Sequence, residues 1–236
     1  MKANEFLGDL ENTVIINKLM ETPFHERTEI WRDNFLASIA TCNLKLAKNE
    51  VVMSDDGFPY IQLQTVQTEE KFRSYAIIHQ LDTLLNQGFG IVINPQNDKP
   101  DWVFSYGDLV NLKLNGEFYT YKSVFSNINE YSSIGKDEEI LVGQPSETIF
   151  PSYLRHQIRD FLHYSGLRNA KIMLIARNYT DEEKASQDLV FNIMPTQFAT
   201  EHEFNTIMNT LQWMLPKHYS FFGVDELSIE NGFQLI

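Results

Sequence analysis

Three groups of chemically capable side chains stand at suggestive spacing. Gly88 and Gly90 form a G-x-G beside "GIVIN"; His156, Asp160 and His163 fall at i, i+4 and i+7; and His202 precedes Glu203. A glycine pair holds a phosphate when it follows a strand and opens a helix, because the unpaired amides of a helix N-terminus then face the ligand. Here the order is reversed, since the pattern predicts a helix ending at Gly88 and a strand starting at Gly90. Gly88 is therefore read as the left-handed turn after a helix and Gly90 as close packing at strand entry. His156, Asp160 and His163 would share one helix face and could ligate a metal. The apolar stripe of that helix runs through Leu154, Ile158 and Phe161 instead. This leaves His156 on a solvated side with no outside ligand to join it. Thr206 stands where H-E-x-x-H requires its second histidine.

Neither a phosphate-binding G-x-x-x-x-G-K-[ST] nor a nucleophile elbow G-x-S-x-G occurs in the chain. Cys42 is the only cysteine, which rules out an intrachain disulfide and a thiolate metal cluster. The acids of "SDDG" and "DEE" lack calcium-loop spacing, and His25, His79 and His218 are isolated in sequence. The expectation is no catalytic residue, no cofactor and no metal.

The elements that would position these residues follow from periodicity. Trp31, Phe35 and Ile39 predict a helix over 26–40, and the alternation around Leu44, Leu46, Tyr60 and Leu63 predicts two strands joined by a polar turn at 54–57. A helix beginning near Thr68, with Glu69 and Glu70 in its first turn, leads to Gly88. "GIVIN" and "DWVFSY" then form an antiparallel pair around the loop 94–100, and "GEFYTYKSVF" is a weaker strand candidate. The second half repeats this style. It has a helix from Pro151 to Gly166, strands in "AKIMLIARNY" and "QDLVFNIMP", and a helix with a Thr200/Glu203 capping box that ends before Pro216. A last β-like pair, "HYSFFGVDEL" and "NGFQLI", closes the chain. The fold expected is α+β, as two small domains over 1–135 and 136–236, each with helices packed on a mainly antiparallel or mixed sheet. The boundary is placed between 127 and 145.

The 236-residue chain carries a formal charge of -13. Such a surface repels polyanions, so neither nucleic acid nor an anionic membrane is an expected partner. No run reaches the ~20 apolar residues of a membrane span, and "MKANEFLGDLENT" has no secretory pattern, so the expected location is the cytoplasm. Residues 1–142 hold 12 basic and 21 acidic groups, which suggests an acidic first domain.

Two aromatic features and one loop mark candidate interaction surfaces. Trp213 falls opposite Phe204 and Leu211 on its helix, on the side of His202 and Asn209, and is expected to be exposed unless another element covers it; an inter-domain contact is the first reading and partner binding the second. Trp102, Phe104 and Tyr106 alternate on one strand face, a pattern that belongs first to a core. Asn94 and Asn97 lie in the loop beside Trp102, where a pocket between the domains would find polar groups.

The phrases "ENTVIINKLMETPFHERTEIWRDNFLASIATCNLKLA", "DDGFPYIQLQTV" and "GFGIVINP", in that order, resemble the N-terminal domain of the SseB family, the bacterial enhanced serine sensitivity proteins. "VGQPSETIFPSYLRHQIRDFL", "AKIMLIAR", "DLVFNIMP" and "MLPKHYSFFGVDELS" are similar to its C-terminal domain. The resemblance implies a cytoplasmic two-domain α+β protein and supplies no catalytic residues. The function expected is that of a non-enzymatic binding or regulatory protein with a protein partner. The alternatives are an acidic immunity-type protein that neutralises a basic toxin or effector, and an enzyme or small-ligand receptor with a pocket between the domains.

Overall fold

A computed structural model describes residues 7–67, 70–95, 99–126, 134–135, 138–178, 185–229 and 231–236. They form two compact units, residues 1–118 and 119–236, each built on a mixed sheet.

In the first unit, α1 (Leu10–Met20) and α2 (Glu29–Ile39) precede β1 (Leu44–Met53) and β2 (Pro59–Thr65). Then come α3 (Ile77–Gln87), β3 (Gly90–Ile93), β4 (Trp102–Phe104) and α4 (Tyr106–Asn115). The sheet order is β1-β2-β3-β4. β1 runs antiparallel to β2, α3 carries the chain to β3 parallel to β2, and β4 returns antiparallel. Phe35, Ile39, Leu63, Leu84, Ile91 and Phe104 form part of its fully buried core.

The second unit contains β5 (Ile140–Gly143), α5 (Ser152–Tyr164), β6 (Lys171–Arg177), β7 (Ser186–Phe191), α6 (Glu201–Met214), β8 (Phe221–Gly223) and β9 (Gln234–Leu235). Its sheet order is β5-β6-β7-β8, and α6 crosses from β7 to a parallel β8. Both units therefore contain helix, antiparallel strand pair, crossover helix, parallel strand: α2-β1-β2-α3-β3 and α5-β6-β7-α6-β8. Topology shows a repeat that the two sequences do not display.

Several boundaries differ from expectation for identifiable reasons. The division between units falls at residue 118, ahead of 127–145, because the segment after it already bonds within the second unit. Phe125 stacks on Tyr219 with centroids 4.2 Å apart, and the Ser126 amide donates to the Gln187 carbonyl at 3.1 Å. Residues 117–126 make an isolated bridge at Phe125 and no strand. Helix α3 starts at Ile77, well past Thr68, because Tyr75 and Leu44 exchange both backbone hydrogen bonds and hold position 75 extended. Glu70 pairs with Lys45 instead of serving a helix terminus. Tyr106 leaves the strand to open α4, where Ser105 and Asp108 form a capping box. At α6, Thr200 accepts from the Glu203 amide as expected, but the Glu203 carboxylate reaches the Ala199 amide, one residue before the cap. β8 and β9 do not pair with each other: β8 joins β7, while β9 continues the β6 edge used by β5.

The G-x-G has the geometry read from its order. Gly88 caps α3 at φ 73°, in the left-handed region. At Gly90, a Cβ would lie 2.6 Å from the Tyr60 ring and 2.7 Å from the Phe104 carbonyl oxygen. Gly90→Ala is accordingly expected to lower unfolding free energy by about 1–3 kcal/mol through overpacking. Equal melting curves for the variant and the parent protein would refute the close-packing role.

Candidate functional site

Two surfaces of the first unit combine accessibility with defined chemistry, and both involve α1. Asp9 caps this helix by accepting from the Asn12 amide at 2.8 Å. Its inward side is held largely by polar bonds. Asn12 Nδ2 donates to Thr41 Oγ1 at 2.8 Å, and Asn43 Nδ2 donates to Thr13 Oγ1 at 2.9 Å and to the Gly8 carbonyl at 3.1 Å. Asn43 Oδ1 accepts from the Gly8 amide and from Ser74 Oγ. These bonds set the rotation of the helix and direct Thr13 and Ile16 inward, where both are buried.

The outward face nonetheless carries apolar side chains. Leu10 is 76% exposed, Val14 68% and Ile15 37%, with Leu7 ahead of the helix at 55%. Leu10 and Val14 lie one turn apart on a single stripe, bordered by Glu11 and Lys18. An ordinary surface helix turns such a stripe to the core, whereas here Leu10 and Val14 face outward.

The second surface lies beyond the other end of α1. Arg27 Nη2 donates to Asp101 Oδ1 at 2.6 Å, and the two side chains are 11% and 9% exposed. Asn94 Nδ2 donates to Asp101 Oδ2 at 2.7 Å, while Asn94 Oδ1 accepts from the Thr65 amide at 2.9 Å. The Arg27 guanidinium stacks over Trp31 at 4.4 Å and lies 5.4 Å from the Phe24 centroid. Its Nη1 is buried with no hydrogen-bond acceptor among the described residues. A concavity of ≈ 450 Å³ opens there, lined by residues that include Met20, Phe24, Arg27, Lys99 and Asp101. All of its lining belongs to the first unit.

Of the residues singled out in the sequence, Asn94 is central to this cluster, buried and at φ 52°. Asn97 lies outside the described residues. Trp102 is half-buried, with its ring centroid 5.1 Å from Phe35 and 6.4 Å from Trp31, so it belongs to the aromatic core. Trp213 is half-buried and so partly covered, and His202 is exposed. Eleven residues apart on α6, they are separated by about 16 Å of helix and do not form one site. His156 Nε2 lies 3.0 Å from Asp160 Oδ2, whereas His163 Nε2 turns to the Arg168 carbonyl at 3.0 Å. No group of three or more His, Cys, Asp or Glu suited to a metal occurs among the described residues. Burial pushes the Cys42 thiol up to about 12, so it stays protonated at neutral pH and is a poor nucleophile.

Periodicity misses Arg27 and Asp101, because they are 74 positions apart and meet only through the fold. The α1 stripe does leave a signal: Leu10 and Val14 at i, i+4 directly after the cap residue Asp9. With unit boundaries known, the charge divides evenly. Residues 1–118 hold 10 basic and 17 acidic groups, net -7, and residues 119–236 hold 9 and 15, net -6. Among the described residues no helix is long and apolar enough to cross a membrane. No protein-family model, curated protein or solved structure matches this chain.

Proposed function

We propose that this chain is a non-enzymatic cytoplasmic binding or regulatory protein of the SseB type, which engages a protein partner through the outward face of α1. The observation that carries the reading is the inverted helix, with Leu10 and Val14 exposed and the polar Asn12 and Thr13 bonded inward. The partner presents a complementary apolar ridge with basic groups opposite Asp9 and Glu11 and an acidic group opposite Lys18. Leu10→Asp with Val14→Asp is expected to abolish recovery of a cross-linked partner and to leave the melting temperature within 2–3 °C of the parent, since exposed substitutions cost about 0.5 kcal/mol or less. Undiminished partner recovery by the double variant would overturn this assignment.

A basic toxin or effector is the special case of such a partner. Its signature is affinity that falls steeply between low and high salt, by loss of association rate. The unpartnered Arg27 Nη1 favours a second reading, small-ligand binding at the ≈ 450 Å³ concavity. Ligand-induced thermal shifts that Arg27→Met removes would support it; their absence across a panel of small carboxylates and phosphates would count against it.

A further inference from the structure

On one face of the second unit's sheet, among the described residues, neither α5 nor α6 contributes to the core. Met173, Ile175, Val190 and Phe222 form a buried cluster there, packed against Ile134, Ile140, Val224, Ile229 and Phe233. No residue of α5 or α6 belongs to this cluster. Ile140 extends this face from the edge strand β5, and separate chain segments cover it: the one at Ile134 and the chain after β8. They are tied down at distinct points. Arg177 Nη1 donates to Glu138 Oε1, and Gln144 Nε2 donates to the Gly232 carbonyl at 2.7 Å. Gly232 lies so close to the sheet that a Cβ would come within 2.6 Å of Met173 Sδ.

Between these segments a cavity of ≈ 710 Å³ remains, with Ile140, Val142, Met194, Val224 and Ile229 in its walls. That volume falls within the range typical of small-molecule sites, and the mixture of branched aliphatic walls with one flexible thioether suits an apolar body of adaptable shape. Polar groups are few. Among the described residues, the charged lining residues, Glu138 and Asp225, are both acidic. Arg177 is fully buried and already engaged by Glu138 and Asp188, so it offers a ligand carboxylate no vacant partner. Asp225 is exposed, and its Oδ1 accepts from the Leu227 amide at 3.0 Å. A ligand anion would meet like charge at this rim, whereas a cation would meet the Asp225 carboxylate.

We propose that this cavity is a binding site for a cationic amphiphile, with the apolar body between β5 and the segment 224–229 and the cationic head at Asp225. The site is independent of the α1 surface and lies in the other unit.

Titration calorimetry on the full chain, with decyltrimethylammonium below its micelle concentration and decanoate as the anion of matched chain length, tests it. The cation is expected to bind about tenfold more tightly than the anion. Asp225→Asn keeps an acceptor for the Leu227 amide and is expected to reduce that preference several-fold. Val224→Trp fills the cavity and is expected to weaken cation binding about tenfold or more. Methyl NMR of the unmodified protein gives a readout that does not depend on any variant folding: the Ile134, Ile140 and Ile229 methyl signals should shift on titration while those of Ile91 and Ile93 stay fixed. Equal affinity for cation and anion, or methyl shifts spread over both units, would overturn the proposal.

Discussion

Arg177→Met is expected to lower the stability of the second unit by about 3–5 kcal/mol, the largest loss anticipated for a single substitution in this chain. Arg177 and Asp188 are both fully buried, with Nε donating to Asp188 Oδ2 at 2.7 Å, and Ser220 Oγ donates to the other oxygen of the same carboxylate. Removal of the guanidinium strands Asp188 in a region of low polarity with only the Ser220 hydroxyl and its local surroundings to offset the charge. The double variant Arg177→Met, Asp188→Leu should recover much of the loss, because a paired apolar replacement leaves no uncompensated charge. Denaturant unfolding with 5-fluorotryptophan incorporated separates the units, since Trp213 reports the second and Trp31 and Trp102 the first. A loss below 1 kcal/mol, or one shared equally by all three signals, would contradict the account.

The same ion cluster has a pH signature. Burial by itself would raise the Glu138 carboxyl, but the hydrogen bond from Arg177, the Gly135 amide and the Arg177 charge outweigh it and hold the group below the ordinary glutamate value. A depressed carboxyl contributes its stabilisation in full above the unfolded value and loses it as pH falls through the folded one. The second unit should therefore weaken on the acid side, and Glu138→Gln should flatten that dependence.

Asn94→Ala is expected to cost the first unit about 2–4 kcal/mol. Two effects add. A left-handed backbone at φ 52° penalises alanine by about 1 kcal/mol relative to a residue that tolerates it. Loss of the carboxamide also leaves the Thr65 amide without its acceptor and takes a donor from Asp101, at about 1–3 kcal/mol for buried groups. Asn94→Gly removes the same hydrogen bonds without the steric strain, so it should be less damaging than alanine by about 1 kcal/mol. If the two variants melted together within 1 °C of the parent, the cluster would have no structural role.

Much of the fold was legible because burial leaves a period. The stripes of α2, α3, α5 and α6, the alternation in β2, and the left-handed stop at Gly88 are local consequences of one element facing one core. Errors concentrated where a long-range bond overrides local preference. Tyr75 is kept extended by Leu44, thirty-one positions away, so the acids after Thr68 could not mark the start of α3. The four-residue β5 was not anticipated, because its apolar run, Ile140 to Val142, is only three residues long and follows the polar stretch 126–139. For the candidate sites, Asn94 was identified from loop position, yet the partners that give it a task, Thr65 and Asp101, come from other strands' ends.

The amino-acid sequence by itself determined the class of protein: α+β, acidic, without the glycine-loop and nucleophile signatures, and with a G-x-G whose order makes it structural. Tertiary structure alone decided which surfaces are open. Leu10 and Val14 look like core residues in sequence, and they face outward because Asn12, Thr13 and Asn43 fix the rotation of α1 through hydrogen bonds. Trp213 looks exposed by its helical position and is half-covered. The physical reason is common to both: periodicity records the residue types along a helix, but its orientation is set by the sum of contacts with segments remote in the chain, and that sum exists only once the chain has folded.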